Sequence, residues 1–218
     1  MKDLTRGPIA AHVLALAAPI AVGMLVQILY LMVDLYFGAA AQAGFGVGSR
    51  LMQAVFLPAM AVAFAMAPVA GQNYGARAAQ RVRRTFATGA LLGCGLMLLV
   101  TLLCQWRATA RVGFFTADPA ARHVATDFLR LISWNFVASG FVFTCSGMFQ
   151  ALGNTWPAIL SSATRLVTFV LPALAGSRRG DFRIEDVWYL SIATVTLQAL
   201  VSGLLLRREF GRRLAFAG

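Results

Sequence analysis

The sequence has few charged residues, and acidic ones are the scarcer kind. Only 12% of its 218 residues are charged, with 8 Asp and Glu against 19 Lys and Arg, whereas soluble domains carry about 25%. Hydrophobic residues make up 59% of the chain and recur in long runs along its whole length. This composition excludes a soluble globular domain. It predicts an integral membrane protein, all-α in fold class.

Histidine and cysteine are also scarce, which removes most site chemistries. His12 and His123 are isolated, and Cys94, Cys104 and Cys145 lie in apolar stretches without a Cys-x-x-Cys pair or a nearby histidine. The sequence also contains no Ser-His-Asp grouping and no pair of carboxylates. We therefore expect neither a metal site nor an enzyme. The first apolar run is too long for a cleaved signal peptide, so we expect mature sequence.

The formal net charge of +11 is the one feature that suggests nucleic acid. The arginines, however, cluster between the apolar segments, where the positive-inside rule and lipid headgroups account for them. The lipid bilayer is therefore the predicted partner, and nucleic acid is not.

About six segments are long enough to span a hydrocarbon core of about 30 Å as helices. We expect one helical bundle over 1–218, because no internal repeat or long linker is visible. Proline or paired glycines interrupt four segments, and four tryptophans lie mostly near segment ends, as interfacial anchors do. The segments are 9–37, 43–70, 86–106, 123–151, 157–177 and 187–206; the interruptions are Pro19, Gly23, Pro58, Pro68, Gly89, Gly93 and Pro172; the tryptophans are Trp106, Trp134, Trp156 and Trp188.

The basic residues between the segments predict an orientation. If the N-terminus is cytoplasmic, the larger basic group faces the cytoplasm, and the C-terminus lies there too. That group is Lys2, Arg6, Arg77, Arg81, Arg83, Arg84, Arg207, Arg208, Arg212 and Arg213; the opposite side holds Arg107, Arg111, Arg178, Arg179 and Arg183.

Asp34 is the main candidate for ion coupling. It lies near the end of the first apolar segment between Val33 and Leu35, and a carboxylate at membrane depth is usually a proton or cation site facing a cavity. Gln27 and Tyr30 lie seven and four residues earlier, on nearly the same helical face, and could complete a polar stripe. The alternatives are that Asp34 only caps the helix end and that the other two bond neighbouring helices.

Other polar residues lie inside the predicted helices. Asn135, Gln150 and Gln53 could contact a substrate or hydrogen-bond helix to helix. Arg165 is the deepest arginine and needs a partner, a water-filled cavity or a route to the interface. For Arg50 and Arg130 we expect the side chains to extend toward the interface, and these three arginines are too few and too scattered to favour a lipid-linked-sugar flippase.

Several motifs resemble the multidrug and toxic compound extrusion (MATE) family of efflux antiporters. Gly71-Gln-Asn-Tyr-Gly-Ala76 follows the second segment, and the similarity continues from Gly147 to Pro157 and from Arg165 to Pro172. Leu16-Ala-Ala-Pro19 and Val33-Asp-Leu-Tyr-Phe37 are similar to the family's opening helix. The resemblance implies twelve helices in two lobes around a cleft, and exchange of a proton or sodium ion for amphipathic, often cationic compounds, without an organic cofactor.

This chain has half that number of segments, and the resemblance implies a particular arrangement of them. Its first helix resembles the first helix of the N-lobe, whereas residues from about 39 onward resemble helices two to six of the C-lobe. Carried over by residue, the N-lobe coupling carboxylate falls on Asp34. The expected protein is a half-length antiporter of the bacterial inner membrane that needs a homodimer. The alternative is a non-transporting remnant, or a subunit that packs against a full-length relative.

Overall fold

The described part of the chain consists of helices joined by short turns, and it contains no strand. The computed structural model describes the backbone of 42–106, 119–177 and 184–215, and the side chains of 56–106, 126–176 and 186–215. Asp34, Gln27 and Tyr30 lie outside these residues. The all-α fold class is confirmed, and the helices are α1 (Gln42–Gly75), α2 (Ala79–Trp106), α3 (Pro119–Ile132), α4 (Asn135–Ala151), α5 (Trp156–Ser177) and α6 (Ile184–Arg213).

Four of these helices contain stretches long and apolar enough to cross a membrane. The stretches are Phe56–Gly75, Ala79–Trp106, Trp156–Gly176 and Asp186–Arg213, and α3 and α4 together would make a fifth span. The outward faces carry exposed leucines, for example Leu91 at 75% and Leu200 at 63% exposure. Such faces suit hydrocarbon rather than water, so the chain is an integral membrane protein.

The prediction of one continuous helix over the fourth segment, 123–151, was wrong. The chain turns at Ser133 and Trp134, and α3 and α4 are bent by 51° from each other. In contrast, α1 runs unbroken through Pro58 and Pro68, and α5 through Pro172. The prolines therefore did not mark where the described helices break.

The helix α4 occupies the middle of the described bundle. It packs against α1, α2, α5 and α6, and none of its residues is exposed. Two apolar clusters surround it. One contains Met97, Phe128 and Phe136, and the other contains Val82, Phe149 and Leu206.

Glycines allow α4 to approach its neighbours at backbone distance. A Cβ added to Gly147 would lie 2.8 Å from the carbonyl oxygen of Ala63 in α1, and one added to Gly140 would lie 3.2 Å from the carbonyl oxygen of Gly93 in α2. Small residues at such crossings are typical of membrane helices, where close van der Waals packing replaces the hydrophobic effect.

Trp188 corrects one expectation about the tryptophans. Trp106, Trp134 and Trp156 are 80%, 62% and 74% exposed near helix ends, as interfacial anchors would be, but Trp188 is only 5% exposed. Its ring packs edge-on against Phe128 with 5.5 Å between centroids. It is a core residue that joins α6 to α3, since the bend after α3 brings Phe128 against it.

Replacing Gly147 with alanine tests the close approach of α4 to α1. The new methyl group would meet a backbone oxygen, which cannot rotate away, so we expect a loss of about 1–3 kcal/mol in the free energy of unfolding. Gly95→Ala is the matched control, because nothing lies within 4 Å of a Cβ there. Thermal unfolding in detergent micelles measures both; equal melting temperatures for the two variants would contradict the packing described.

Candidate functional site

One face of α4 is polar. Asn135, Ser139, Ser146 and Gln150 are spaced so that all four fall within about 60° of arc around a helix of 3.6 residues per turn. Asn135 is buried and the other three are half-buried. Gly140 and Gly147 lie on a different side, against α2 and α1. We call the four polar residues the α4 stripe.

The α4 stripe contains two residues that the sequence nominated, and the structure places them far apart. Asn135 and Gln150 are fifteen residues apart on one helix, which corresponds to about 22 Å along its axis. They share a face but cannot contact one small molecule at the same time. The stripe therefore follows most of the thickness of a hydrocarbon core of about 30 Å.

Asn135 makes only part of its possible hydrogen bonds. Its Nδ2 donates to the Ser191 hydroxyl of α6 at 3.2 Å, while its Oδ1 is buried with no partner among the described residues. A buried acceptor without a donor is costly in a low-dielectric interior. One end of the amide thus joins two helices, and the other end is an acceptor for a donor group or a cation.

The bend before Asn135 is stabilised by side chains of α2. Gln105 Nε2 donates to the carbonyl oxygen of Arg130 at 2.7 Å, and the Ser133 hydroxyl donates to the same oxygen at 3.0 Å. The Thr101 hydroxyl lies 2.9 Å from the carbonyl oxygens of both Met97 and Ser133, so its one proton serves either. A broken helix is tolerated in a membrane where neighbouring side chains satisfy the freed carbonyls.

The helix α6 carries a buried polar row that sequence reasoning missed. Its spacing keeps all members on the face toward the bundle, where α4 and α5 pack. Two of its hydroxyl members pair with other helices: Ser191 with Asn135 of α4, and Ser202 with Ser161 of α5 at 2.5 Å between hydroxyl oxygens. The helical spacing of polar residues in the last segment was the signal that would have found the row. Its members are Ser191, Thr194, Gln198, Ser202 and Glu209.

Glu209 ends this row and fastens the loop between α4 and α5. It accepts a hydrogen bond from Asn154 of that loop and one from Arg213 Nε at 3.3 Å. Arg213 also donates to the carbonyl oxygen of Leu152 at 2.9 Å. Gly153 turns the loop with φ +68°, a conformation that favours glycine. Glu209 is a structural carboxylate that lies beyond the predicted segment 187–206.

The remaining candidates are placed as follows. Arg165 is half-buried on α5, one turn from Ser161, and the Arg130 side chain is exposed. Arg50 and Gln53 lie on α1 outside the described side chains. Over the residues that the structure describes, no group of three His, Cys, Asp or Glu could hold a metal ion. The polar residues described above offer hydrogen-bond donors and acceptors.

Comparison with known proteins agrees with the arrangement. The MatE family model matches residues 19–174. The multidrug export protein MepA of Staphylococcus aureus (strain N315) is 27% identical over 147 residues, which are 65% of this chain and 32% of that protein. A crystal structure of MATE in the bent conformation superposes with a TM-score of 0.85 at 19% identity, covering 97% of this chain and 49% of that one. The Vibrio cholerae transporter VcmN in the bent form gives 0.81 at 21% identity, covering 94% and 47%.

These matches show how much of the solved transporters the chain corresponds to, as well as which fold it has. The chain spans about half the length of the solved transporters, 49% and 47% of the two. Its described helices are therefore comparable to one half of such a protein.

Replacing Thr101 tests whether its hydrogen bond stabilises the bend between α3 and α4. Thr101→Val keeps the shape but removes the only hydroxyl that α2 directs at the Ser133 carbonyl, so we expect a loss of about 0.6–2 kcal/mol in stability. The Thr196 hydroxyl is exposed and bonds only the Ile192 carbonyl of its own helix, which makes Thr196→Val the matched control. Thermal unfolding in micelles compares the two, and a control variant as unstable as Thr101→Val would refute the role of this bond.

Proposed function

The chain belongs to the MatE family, and we propose that it is one lobe of a multidrug efflux antiporter of the bacterial inner membrane. It exchanges protons or sodium ions for amphipathic, often cationic compounds, and no organic cofactor takes part. The observation that carries the proposal is the α4 stripe, a row of four polar residues on one face of the central helix of the described bundle. Such intramembrane polar faces mark substrate and ion pathways.

Asp34 is the carboxylate that couples ion to cargo in this proposal. The described carboxylates support this assignment because none of them suits the coupling role. Asp127 and Asp186 are exposed, and Glu209 is hydrogen-bonded to Asn154 and Arg213. Among the described side chains, none is a carboxylate at membrane depth that is free to exchange an ion. Protonation or cation binding at Asp34 then biases an alternating motion of the lobes.

The cargo contacts the polar residues that face the cleft. The Oδ1 of Asn135 is buried without a partner among the described residues. In the proposed motion of the lobes it becomes accessible and accepts a hydrogen bond from an N–H or O–H group of the cargo. Gln150 contacts cargo at another depth of the same stripe, and Gln27 and Tyr30 contribute from the first segment. Weak, adaptable contacts of this kind suit a site that accepts many compounds.

A second copy of the chain completes the cleft. The half-length match to two-lobed transporters supports a homodimer in which each chain contributes one lobe. Both termini face the cytoplasm, because the arginines at the start of α2 and the end of α6 then obey the positive-inside rule.

A second candidate function follows from the same half-length match. In this alternative the chain is a subunit that packs against a full-length relative without transporting anything itself, or a remnant of such a transporter. In that case the purified chain alone moves no cargo, although it still inserts into lipid.

A dye-release assay separates these functions. The purified protein is reconstituted into lipid vesicles that are loaded with a fluorescent cationic dye. A pH or sodium gradient is then imposed across the vesicle membrane. We expect gradient-driven dye movement by the natural chain, loss of at least about tenfold with Asp34→Asn because the exchangeable carboxylate is gone, and unchanged movement with the exposed-carboxylate control Asp186→Asn.

Each other outcome of this assay has a definite meaning. Equal movement by Asp34→Asn and the natural chain removes Asp34 from the mechanism. No movement by the natural chain under either gradient overturns the antiporter proposal and favours the non-transporting subunit.

A further inference from the structure

Seven exposed arginines lie at one end of the described bundle. They come from the turn after α1, the first turns of α2 and the last turns of α6, which are far apart in sequence. We call this set the arginine patch, and its members are Arg77, Arg81, Arg83, Arg84, Arg207, Arg208 and Arg212.

Packing between α2 and α6 brings the two halves of the arginine patch together. The rings of Phe86 and Phe210 meet edge-on with 5.7 Å between centroids. Val82 of α2 belongs to the same buried cluster as Leu206 of α6 and Leu214, which directly follows that helix. The arginines on both helices therefore surround a common apolar contact and share one end of the bundle.

The positive charge of the patch is not neutralised by the acids that the structure describes. Glu209 is the carboxylate nearest in sequence, but it is 7% exposed and bonds to Asn154 and Arg213. Asp186 lies in the first turn of α6, at the opposite end of that helix. Asp127 lies on α3, close to the Trp106 end of α2, which is also far from the patch. The patch therefore presents several guanidinium groups that need anions from outside the described chain.

Helix length places the patch at the depth of lipid headgroups. The helix α2 has 28 residues and α6 has 30, lengths of about 42 and 45 Å, against a hydrocarbon core of about 30 Å. The surplus turns are the ones that carry arginine, because the apolar sequence of α2 starts near Phe86 and that of α6 stops at Leu206. The guanidinium groups thus reach the layer that contains the phosphates.

We propose that the arginine patch is a binding site for the headgroups of anionic phospholipids, built jointly by α2 and α6. Guanidinium groups bind phosphate oxygens in a bidentate manner, and two adjacent basic helices offer several such donors to one headgroup. Phe86 lies on the membrane side of the α2 arginines, whereas Phe210 lies between Arg208 and Arg212 of α6, so their apolar contact is set among the guanidinium groups of both helices. This inference concerns lipid binding and does not depend on transport.

A lipid-binding measurement on the purified full chain tests the proposal. Binding of fluorescent phosphatidylglycerol is titrated in neutral-detergent micelles, with phosphatidylcholine of the same acyl chains and inorganic phosphate as comparison ligands. We expect saturable binding of phosphatidylglycerol that weakens with added salt, and no saturable binding of the other two. Each arginine near an anionic surface contributes about fivefold, so Arg81→Gln, Arg84→Gln and Arg208→Gln together should weaken binding about a hundredfold.

Two further variants control for folding and for net charge. The same three positions changed to lysine keep the charge but lose the bidentate geometry, so they should weaken binding by less than the glutamine triple does. Arg178→Gln, Arg179→Gln and Arg183→Gln together remove an equal charge outside the patch and should leave affinity unchanged. Equal weakening by both glutamine triples, phosphate binding as tight as phosphatidylglycerol, or salt-independent affinity of the natural chain would each overturn the proposal. The salt dependence is measured on the natural chain, so it tests the proposal even if one of the triple variants fails to fold.

Discussion

The backbone-level approach of α4 to α1 and α2 is the contact on which the rest of the described bundle depends. A membrane offers no hydrophobic driving force between helices, so the helices must gain their stability from close van der Waals contact and hydrogen bonds. Gly147 against Ala63, and Gly140 against Gly93, provide that contact. Because Gly140 and Gly147 bring one side of α4 this close to two helices, α4 becomes the central helix, and the α4 stripe lies on a different side.

The remaining polar groups act within this frame. Asn135 reaches α6 through Ser191, and Gln105 and Thr101 hold the bend that sets the start of α4. At the other end, Glu209 fastens the loop that leads from α4 to α5. Each bridge satisfies groups that lipid would leave unsatisfied. The helices thus keep fixed relative positions, while Ser139, Ser146 and Gln150 of the α4 stripe stay half-buried rather than fully enclosed.

The fold was predictable in outline because long apolar runs specify spanning helices in lipid. The segments that became α1, α2, α5 and α6 were identified, although α6 continues to Arg213 since a helix need not end where its hydrophobic run ends. The bend at Ser133 was not predictable, because its hydrogen bonds come from Thr101 and Gln105, distant in sequence and on another helix. Asn135 and Gln150 stood out as polar residues in apolar runs, but the distance between them and the buried acceptor of Asn135 required coordinates.

The central claim is that this chain forms one lobe and that two copies make the working unit. Counting subunits in functioning vesicles tests it most directly: each chain carries one fused fluorophore, protein is reconstituted at low density, and photobleaching steps are counted in vesicles that release cationic dye. The account predicts that dye-releasing vesicles show two bleaching steps per particle and that single-copy vesicles are inactive. Dye release from vesicles that contain a single copy would contradict it.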